Sequence, residues 1–231
     1  TSFREPVEIA FLFAADAGVF VAASAGNDGP TASTVAHPSP WITTVATGTH
    51  DRDGAGSVTL GDGSTYAGAS MATVAGVGPA PFIDSENAGL AGADPAQVAL
   101  CYSSADGGNV LDPAKVAGKI VLCERGVTAR VNKSLAVKEA GGVGMVLVNT
   151  SNNSLNADLH AVPSVHVQNT ARAALEAYTA SVGATASIAQ ASIVSAPAPF
   201  TATFSSRGPL VGAAGNLLKP DIIAPGQDIL A

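Results

Sequence analysis

Blocks of apolar residues along the chain change their period, and each change predicts an element. Ile9 to Gly18 (IAFLFAADAG) is apolar at helical density and closes on a glycine, which predicts a helix with Gly18 as its C-terminal stop. Val19-Phe20-Val21 then runs into the small residues Ala22 to Ala25 and halts at Gly26-Asn27-Asp28-Gly29-Pro30, the pattern of a buried strand that stops at a turn. Helix, short link and buried strand together predict an α/β unit with a parallel strand. Thr43 to Thr47 reads as a second strand. Ser57–Leu60 and Thr65–Ala67, set around Gly61-Asp62-Gly63-Ser64, read as a hairpin.

Pro79, Pro81, Asp84-Ser85-Glu86 and Asp94-Pro95 give the next stretch linker character, and a domain boundary is expected there. From about Gln97 the texture changes. Lys119–Cys123 predicts a strand, and Thr128–Ala140 a helix carrying Val131, Leu135 and Ala136 at helical spacing, stopped by Gly141-Gly142. Gly144–Asn149 and Pro163–Val167 are two further strands, and Asn169 is placed to cap a helix through Leu175 and Tyr178. This alternation makes a second small α/β body that ends near Ile193, after which Ser195-Ala196-Pro197-Ala198-Pro199 is a return linker. The expected division is therefore 1–80, 81–195 and 196–231.

Charge supports two bodies. Residues 101–192 carry seven Lys/Arg against six Asp/Glu, a net of +1, while the remainder carries four against twelve, a net of −8. No basic cluster occurs, which argues against nucleic acid as a partner. No run of 18 apolar residues exists, so no membrane span is expected; the longest candidate, near Ile9–Ala25, is broken by Asp16. Two cysteines, Cys101 and Cys123, lie 22 positions apart, without a Cys-x-x-Cys. They are either two buried thiols or one disulfide. The disulfide is preferred here, with a secreted protein as its corollary.

The candidate chemistry lies where the first strand ends. Gly26 on one side and Asp28-Gly29-Pro30 on the other hold a single carboxamide, Asn27, beside an open backbone edge. A fixed amide donor there suits an oxyanion hole, whose N–H groups must point in advance at the place charge will develop. Asn-Asp-Gly-Pro is also ordinary turn vocabulary, so the residues by themselves leave both readings open.

Ser24-Ala25-Gly26-Asn27-x-Gly29-Pro30 resembles the oxyanion-hole segment of the subtilisin-like serine proteases, the subtilases. Gly118-Lys119-Ile120-Val121-Leu122-Cys123, the helix ending in Ala140-Gly141-Gly142 and the strand Gly144–Asn149 are similar to the protease-associated (PA) domain inserted in one branch of that family, notably its plant-type members. Phe204-Ser205-Ser206-Arg207-Gly208-Pro209 and Lys219-Pro220-Asp221-x-x-Ala224-Pro225-Gly226 look like the family segments that follow the insertion. The resemblance implies an α/β fold: part of a subtilisin-like parallel-sheet core interrupted by a small, β-rich α/β PA domain. It further implies that Asn27 supplies an oxyanion donor and that Ala25 and Gly26 form the floor of the primary specificity pocket, although strand packing explains small residues there equally well. Arg207 and Asp221 are expected to brace loops.

The family's Asp-Thr-Gly and His-Gly-Thr-His segments are not found, and in subtilisin order both precede the oxyanion residue while the serine comes last. The expectation is a middle fragment of a larger protease, inactive alone. Gly68-Ala69-Ser70-Met71-Ala72 looks like the nucleophile segment, but no Pro-His follows it, it precedes the insertion, and it continues a strand instead of opening a helix. Ser70 is read as a loop or strand serine. The four histidines, His37, His50, His160 and His166, are scattered, and His166 in an apolar strand reads as a satisfied core residue.

No Asp-x-Asp-x-Asp-Gly loop is present to form a calcium site, and no metal or cofactor is assigned. The expected partners are a protein or peptide substrate and, through the PA domain or exposed core strands, a second copy. Two other function classes remain: a non-catalytic PA module that binds peptides or a partner, and a small hydrolase using Ser70. The accessory domain is expected to be the better-ordered half, with the flanks exposing apolar surface and strand edges.

Overall fold

A computed structural model of the chain describes residues 3–71, 75–211 and 217–229. In chain order the elements are α1 (Pro6–Asp16), β1 (Ala22–Ser24), β2 (Thr43–Gly48), β3 (Arg52–Leu60), β4 (Thr65–Ala69), β5 (Val77–Asp84), α2 (Pro95–Ala99) and α3 (Pro113–Val116). They continue as β6 (Ile120–Glu124), α4 (Arg130–Glu139), β7 (Gly144–Val148), β8 (Ser164–Val167), α5 (Arg172–Thr179), β9 (Thr185–Ile188), β10 (Ser192–Ser195) and β11 (Ile222–Pro225). The chain is mixed α/β and divides into two compact units, Thr1–Asp51 with Ala196–Ala231, and Arg52–Ser195.

In the first unit Pro6 opens α1, where its missing N–H costs nothing, and Gly18 at φ +81° turns the chain out of the helix as its sequence implies. β2 is the middle strand of a three-stranded parallel sheet ordered β1-β2-β11. The strand expected to be buried is not: Val19 and Phe20, just before β1, are 56% and 80% exposed, and among the described residues β1 is an edge that pairs only with β2. Phe13, Leu218 and Ile222 are exposed as well, so among the described residues this unit presents apolar surface and two open sheet edges.

The second unit is built on an eight-stranded sheet ordered β10-β3-β4-β8-β7-β6-β5-β9. Its centre obeys the period of two. Ile120 and Leu122 of β6 and Val146 and Val148 of β7 face one core with Leu175 of α5, whereas Val121, Cys123, Met145 and Leu147 face another with Ala136 and Val137 of α4. β5 to β8 run parallel, and β6, β7 and β8 are buried on both faces, hence their near-continuous apolar runs, whereas β5 buries only Phe82 fully.

Two sequence expectations change here. The sequence places the hairpin β3–β4 with the first body, yet β3 pairs with β9 and β10 and β4 with β8, so the second unit begins at Arg52 and not near residue 81. The stretch that read as linker contains strand β5. Its prolines fit because Pro79 lies within the register shift between Val77 and Ala80, and Pro81 precedes the Phe82–Asp84 pairing with β6; a bulge tolerates a missing N–H. A smaller correction concerns Asn169. The cap is supplied by Gln168, whose side chain accepts from the Asn169 N–H at the start of a short 3-10 turn before α5.

Cys101 and Cys123 are joined in a disulfide within the second core. On α4 the buried face includes a residue that polarity alone would put outside. Lys133 is fully buried, and its Nζ donates to Leu100 O at 2.7 Å and to Thr128 Oγ1 at 2.8 Å. Burial lowers its pKa to about 8.

His166 is 1% exposed on β8, its Nδ1 accepting from Asn156 N–H at 3.1 Å and its Nε2 lying 2.8 Å from Asn149 Oδ1. Burial, aided by Arg125 and Arg130, pushes its pKa down to about 3, and burial takes His160 to about 4. Both are bases whose folded pKa lies below the ordinary 6.5, so the unfolded chain binds more protons as pH falls. Stability is expected to be intact above pH 6.5 and to decline as pH drops through 6.5 towards 4 and then 3. Urea midpoints measured across that range check this. His166→Gln should flatten the slope, and an unchanged slope would contradict it.

Candidate functional site

Two stretches nearly 180 residues apart in sequence clasp each other in the first unit. As β1 ends, Ala25 N–H donates to Val45 O at 2.8 Å and Ala25 O accepts from Ala36 N–H at 2.8 Å. Gly26 follows at φ +99°, where an added Cβ would meet Ser206 Oγ at 2.9 Å and Ala36 Cβ at 3.0 Å, so only glycine fits. The second stretch holds what comes next: Ser206 N–H donates to Gly26 O at 2.9 Å, Asp28 N–H to Ser206 Oγ at 3.0 Å, and Gly29 N–H to Phe204 O at 2.9 Å. A Cβ on Gly29 would overlap the Ser205 carbonyl. Asn27 thus stands on a corner fixed on both sides, with an exposed side chain whose carboxamide has no hydrogen bond among the described residues. Ala25 is 1% exposed and packed, while Gly26 is half-buried.

The clasp is itself anchored. Ser205 and Ser206 are fully buried, and Ser205 Oγ accepts from Thr47 N–H of β2 at 3.0 Å. Arg207 donates through Nε and Nη2 to the carbonyls of Ser205 and Ala202, at 3.2 and 3.3 Å. Lys219 Nζ donates to Ile42 O at 2.8 Å and to Asp221 Oδ2 at 2.6 Å, and that oxygen also accepts from Thr44 N–H at 2.7 Å. Burial works against the charge on Asp221, but the Lys219 and Thr44 bonds outweigh it and hold the carboxyl below the usual carboxylate range. Arg207 and Asp221 brace loops, as expected. A cavity of about 390 Å³ in this unit is lined by Thr201, Ser206, Arg207, Asp221 and Ile223 among others, and Asn27 is not part of its lining.

Ser70 is 7% exposed on the strand side of the second unit, and its Oγ donates to Ser164 O at 2.6 Å. The preceding residue, Ala69, pairs with His166 across the sheet, and both ring nitrogens of His166 are engaged elsewhere. Among the described residues no imidazole hydrogen-bonds Ser70, whose Oγ is committed to a carbonyl, so the arrangement gives no support to Ser70 as a nucleophile. Ala72 of the same segment lies outside the described residues. Among the described residues no group of three or more His, Cys, Asp and Glu is placed to hold a metal ion. No described helix is long and apolar enough to cross a membrane.

The structure brings Ala25, Gly26 and Asn27 together on one loop, and the disulfide pair belongs to the other unit. Sequence reasoning missed Ser205 and Ser206 as the groups that hold the loop. Their one signal was position, two small hydroxyl residues directly before Arg207-Gly208-Pro209.

A family model described as the PA domain matches residues 80–175. Subtilisin-like protease SBT1.7 of Arabidopsis thaliana is 42% identical over 241 residues, covering 99% of this chain and 30% of its own length. Subtilisin-like protease SBT1.3 of the same plant is 42% identical over 240 residues, covering 100% of this chain and 30% of its own. The chain therefore spans about 30% of the length of the curated relatives it matches. Among solved structures, the subtilisin-like protease Apa1 of Pseudoalteromonas sp. AS-11 aligns at 18% identity over 88% of this chain and 54% of its own, with a TM-score of 0.39. An aminopeptidase from Aneurinibacillus sp. strain AM-1 aligns at 16% over 65% and 35%, with a TM-score of 0.40.

Proposed function

This chain belongs to the subtilisin-like proteases that carry a PA domain, and on that premise we propose that it is the central part of a secreted serine endopeptidase in which Asn27 supplies an oxyanion-hole donor. In the whole enzyme a serine attacks the scissile carbonyl, a histidine takes its proton and an aspartate orients the histidine. The carbonyl oxygen becomes an anion, and the Asn27 Nδ2–H, held on its fixed corner, receives it. Ala25 and Gly26 keep the adjoining wall low enough for a substrate side chain. The observation that carries the reading is the exposed, unengaged Asn27 carboxamide on a loop clasped by Ser206 and Phe204.

The substrates are proteins or peptides. The Asp-, His- and Ser-bearing segments of the family are not found in this sequence, so the chain alone should be inert. The PA domain controls substrate access or contacts between two copies, and the open edges of β1 and β11 are a second surface for self-association. The buried disulfide supports an extracellular location, where such bonds persist.

A fluorophosphonate probe tests the catalytic reading. The chain of residues 1–231 should remain unlabelled while the longer natural product is labelled on a serine outside it. Labelling of the isolated chain, or none of the longer product, would overturn the assignment.

A further inference from the structure

The PA unit contains a polar crevice that the protease reading does not use. Three successive parallel strands, β6, β7 and β8, end at Glu124, Val148 and Val167, and the residue after each is polar: Arg125, Asn149 and Gln168. Ligands of parallel α/β sheets sit beyond such carboxyl ends. Here a crevice of about 230 Å³ is lined by Arg125, Gly126, Asn149, Thr150, Ser151 and Asn153.

Its walls are locked in place. Asn149 Nδ2 donates to Gln168 Oε1 at 2.9 Å and to Asn153 O at 3.1 Å. Because His166 Nδ1 accepts from Asn156, the proton is on Nε2, which donates to Asn149 Oδ1 at 2.8 Å. Arg125 Nη1 donates to the same Oδ1 at 3.3 Å and to Ser154 O at 2.8 Å. Both acceptors are neutral. Nε and Nη2 of Arg125 have no acceptor among the described residues, and no carboxylate pairs with it there. The charges near it are Arg130 and Asp158, which satisfy each other through a bond of 2.9 Å.

A half-buried guanidinium with no counter-charge is costly unless an anion arrives from outside. Its free Nε–Nη2 edge is the fork that takes a carboxylate side-on. Phosphate sites instead gather several cations or the N–H groups of a helix N-terminus, whereas this crevice offers one cation among amides and hydroxyls, which suits a single negative charge. We propose that the Arg125 crevice of the PA unit binds the carboxylate of a peptide, either the chain-terminal group or an acidic side chain. The inference is independent of the catalytic reading, because it is measured on this chain with no turnover.

Short neutral peptides titrated into the 231-residue chain, followed by calorimetry and by amide shifts at residues 125, 149 and 151, decide it. A peptide free acid should bind, and its C-terminal amide should not. The same amide carrying one glutamate distinguishes the terminal from the side-chain source. Arg125→Gln should weaken binding about tenfold or more, and Arg125→Lys should recover only part of the loss, since it keeps the charge without the fork. If Arg125→Gln fails to fold, the acid-against-amide comparison on the unaltered chain still decides. Equal binding of acid and amide, inorganic phosphate binding as tightly as the acid, or no binding at all would sink the proposal.

Discussion

On the proposed oxyanion role, replacing Asn27 with alanine in the whole parent enzyme is expected to lower kcat by about 10²–10³, the loss known for removing an oxyanion-hole asparagine from subtilisin, and to leave KM nearly unchanged. The split follows from where charge appears. A neutral carbonyl gains little from the carboxamide in the ground state, while the tetrahedral oxyanion gains a charge-assisted hydrogen bond, so the substitution removes an interaction realised only in the transition state. Folding should be untouched. Asn27 is exposed and its carboxamide supports no neighbour among the described residues, whereas the corner is held by Gly26, Asp28 and Gly29 through their backbone. Exposed substitutions of this kind stay within about 0.5 kcal/mol. Single-turnover kinetics with a peptide ester, alongside a melt of each protein, measures both. If the alanine variant turns over at the parental rate, Asn27 is a turn residue and nothing more.

How far such arguments reach from sequence depended on whether the cause was local. The strands β6, β7 and β8 are legible because burial on both faces writes itself as an unbroken apolar run, and Gly18 and Gly141 mark helix ends through backbone conformations open to few other residues. The loop at Asn27 is legible as a motif, but not its clasp. Ser206 reaches it from about 180 positions away, and nothing near residue 27 encodes that contact.

The same limit explains the misplaced boundary. Ser57–Ala67 spells a hairpin correctly, but its alternation cannot say which sheet the hairpin joins, and pairing with β8, β9 and β10 decides that. Prolines in β5 concealed a strand because the bulge that accommodates them depends on its partner β9. Lys133 shows the converse error. Its long stem crosses the core so that its ammonium can bond the Leu100 carbonyl and the Thr128 hydroxyl, and a scale of residue polarity places it in water.

Removing the disulfide is the largest stability effect expected in the second unit. Cys101 and Cys123 are both fully buried and separated by 22 positions, a loop whose closure is worth about 3 kcal/mol in the chain-entropy account. For a unit of this size such a loss should lower Tm by roughly 10 °C. The bond also ties the loop that follows α2 to the buried strand β6, so without it the segment between them is tethered only by packing and by hydrogen bonds such as Asn109 Nδ2 to Ala136 O at 3.0 Å. Calorimetry of the Cys101→Ala/Cys123→Ala pair against the oxidised chain gives the answer, with the oxidised chain scanned in reductant as a second measure free of any substitution. A double variant that melts within about two degrees of the parent would mean the core carries the fold unaided. The expected drop would instead make this unit dependent on an oxidising compartment, which links its stability to the extracellular setting proposed for the enzyme.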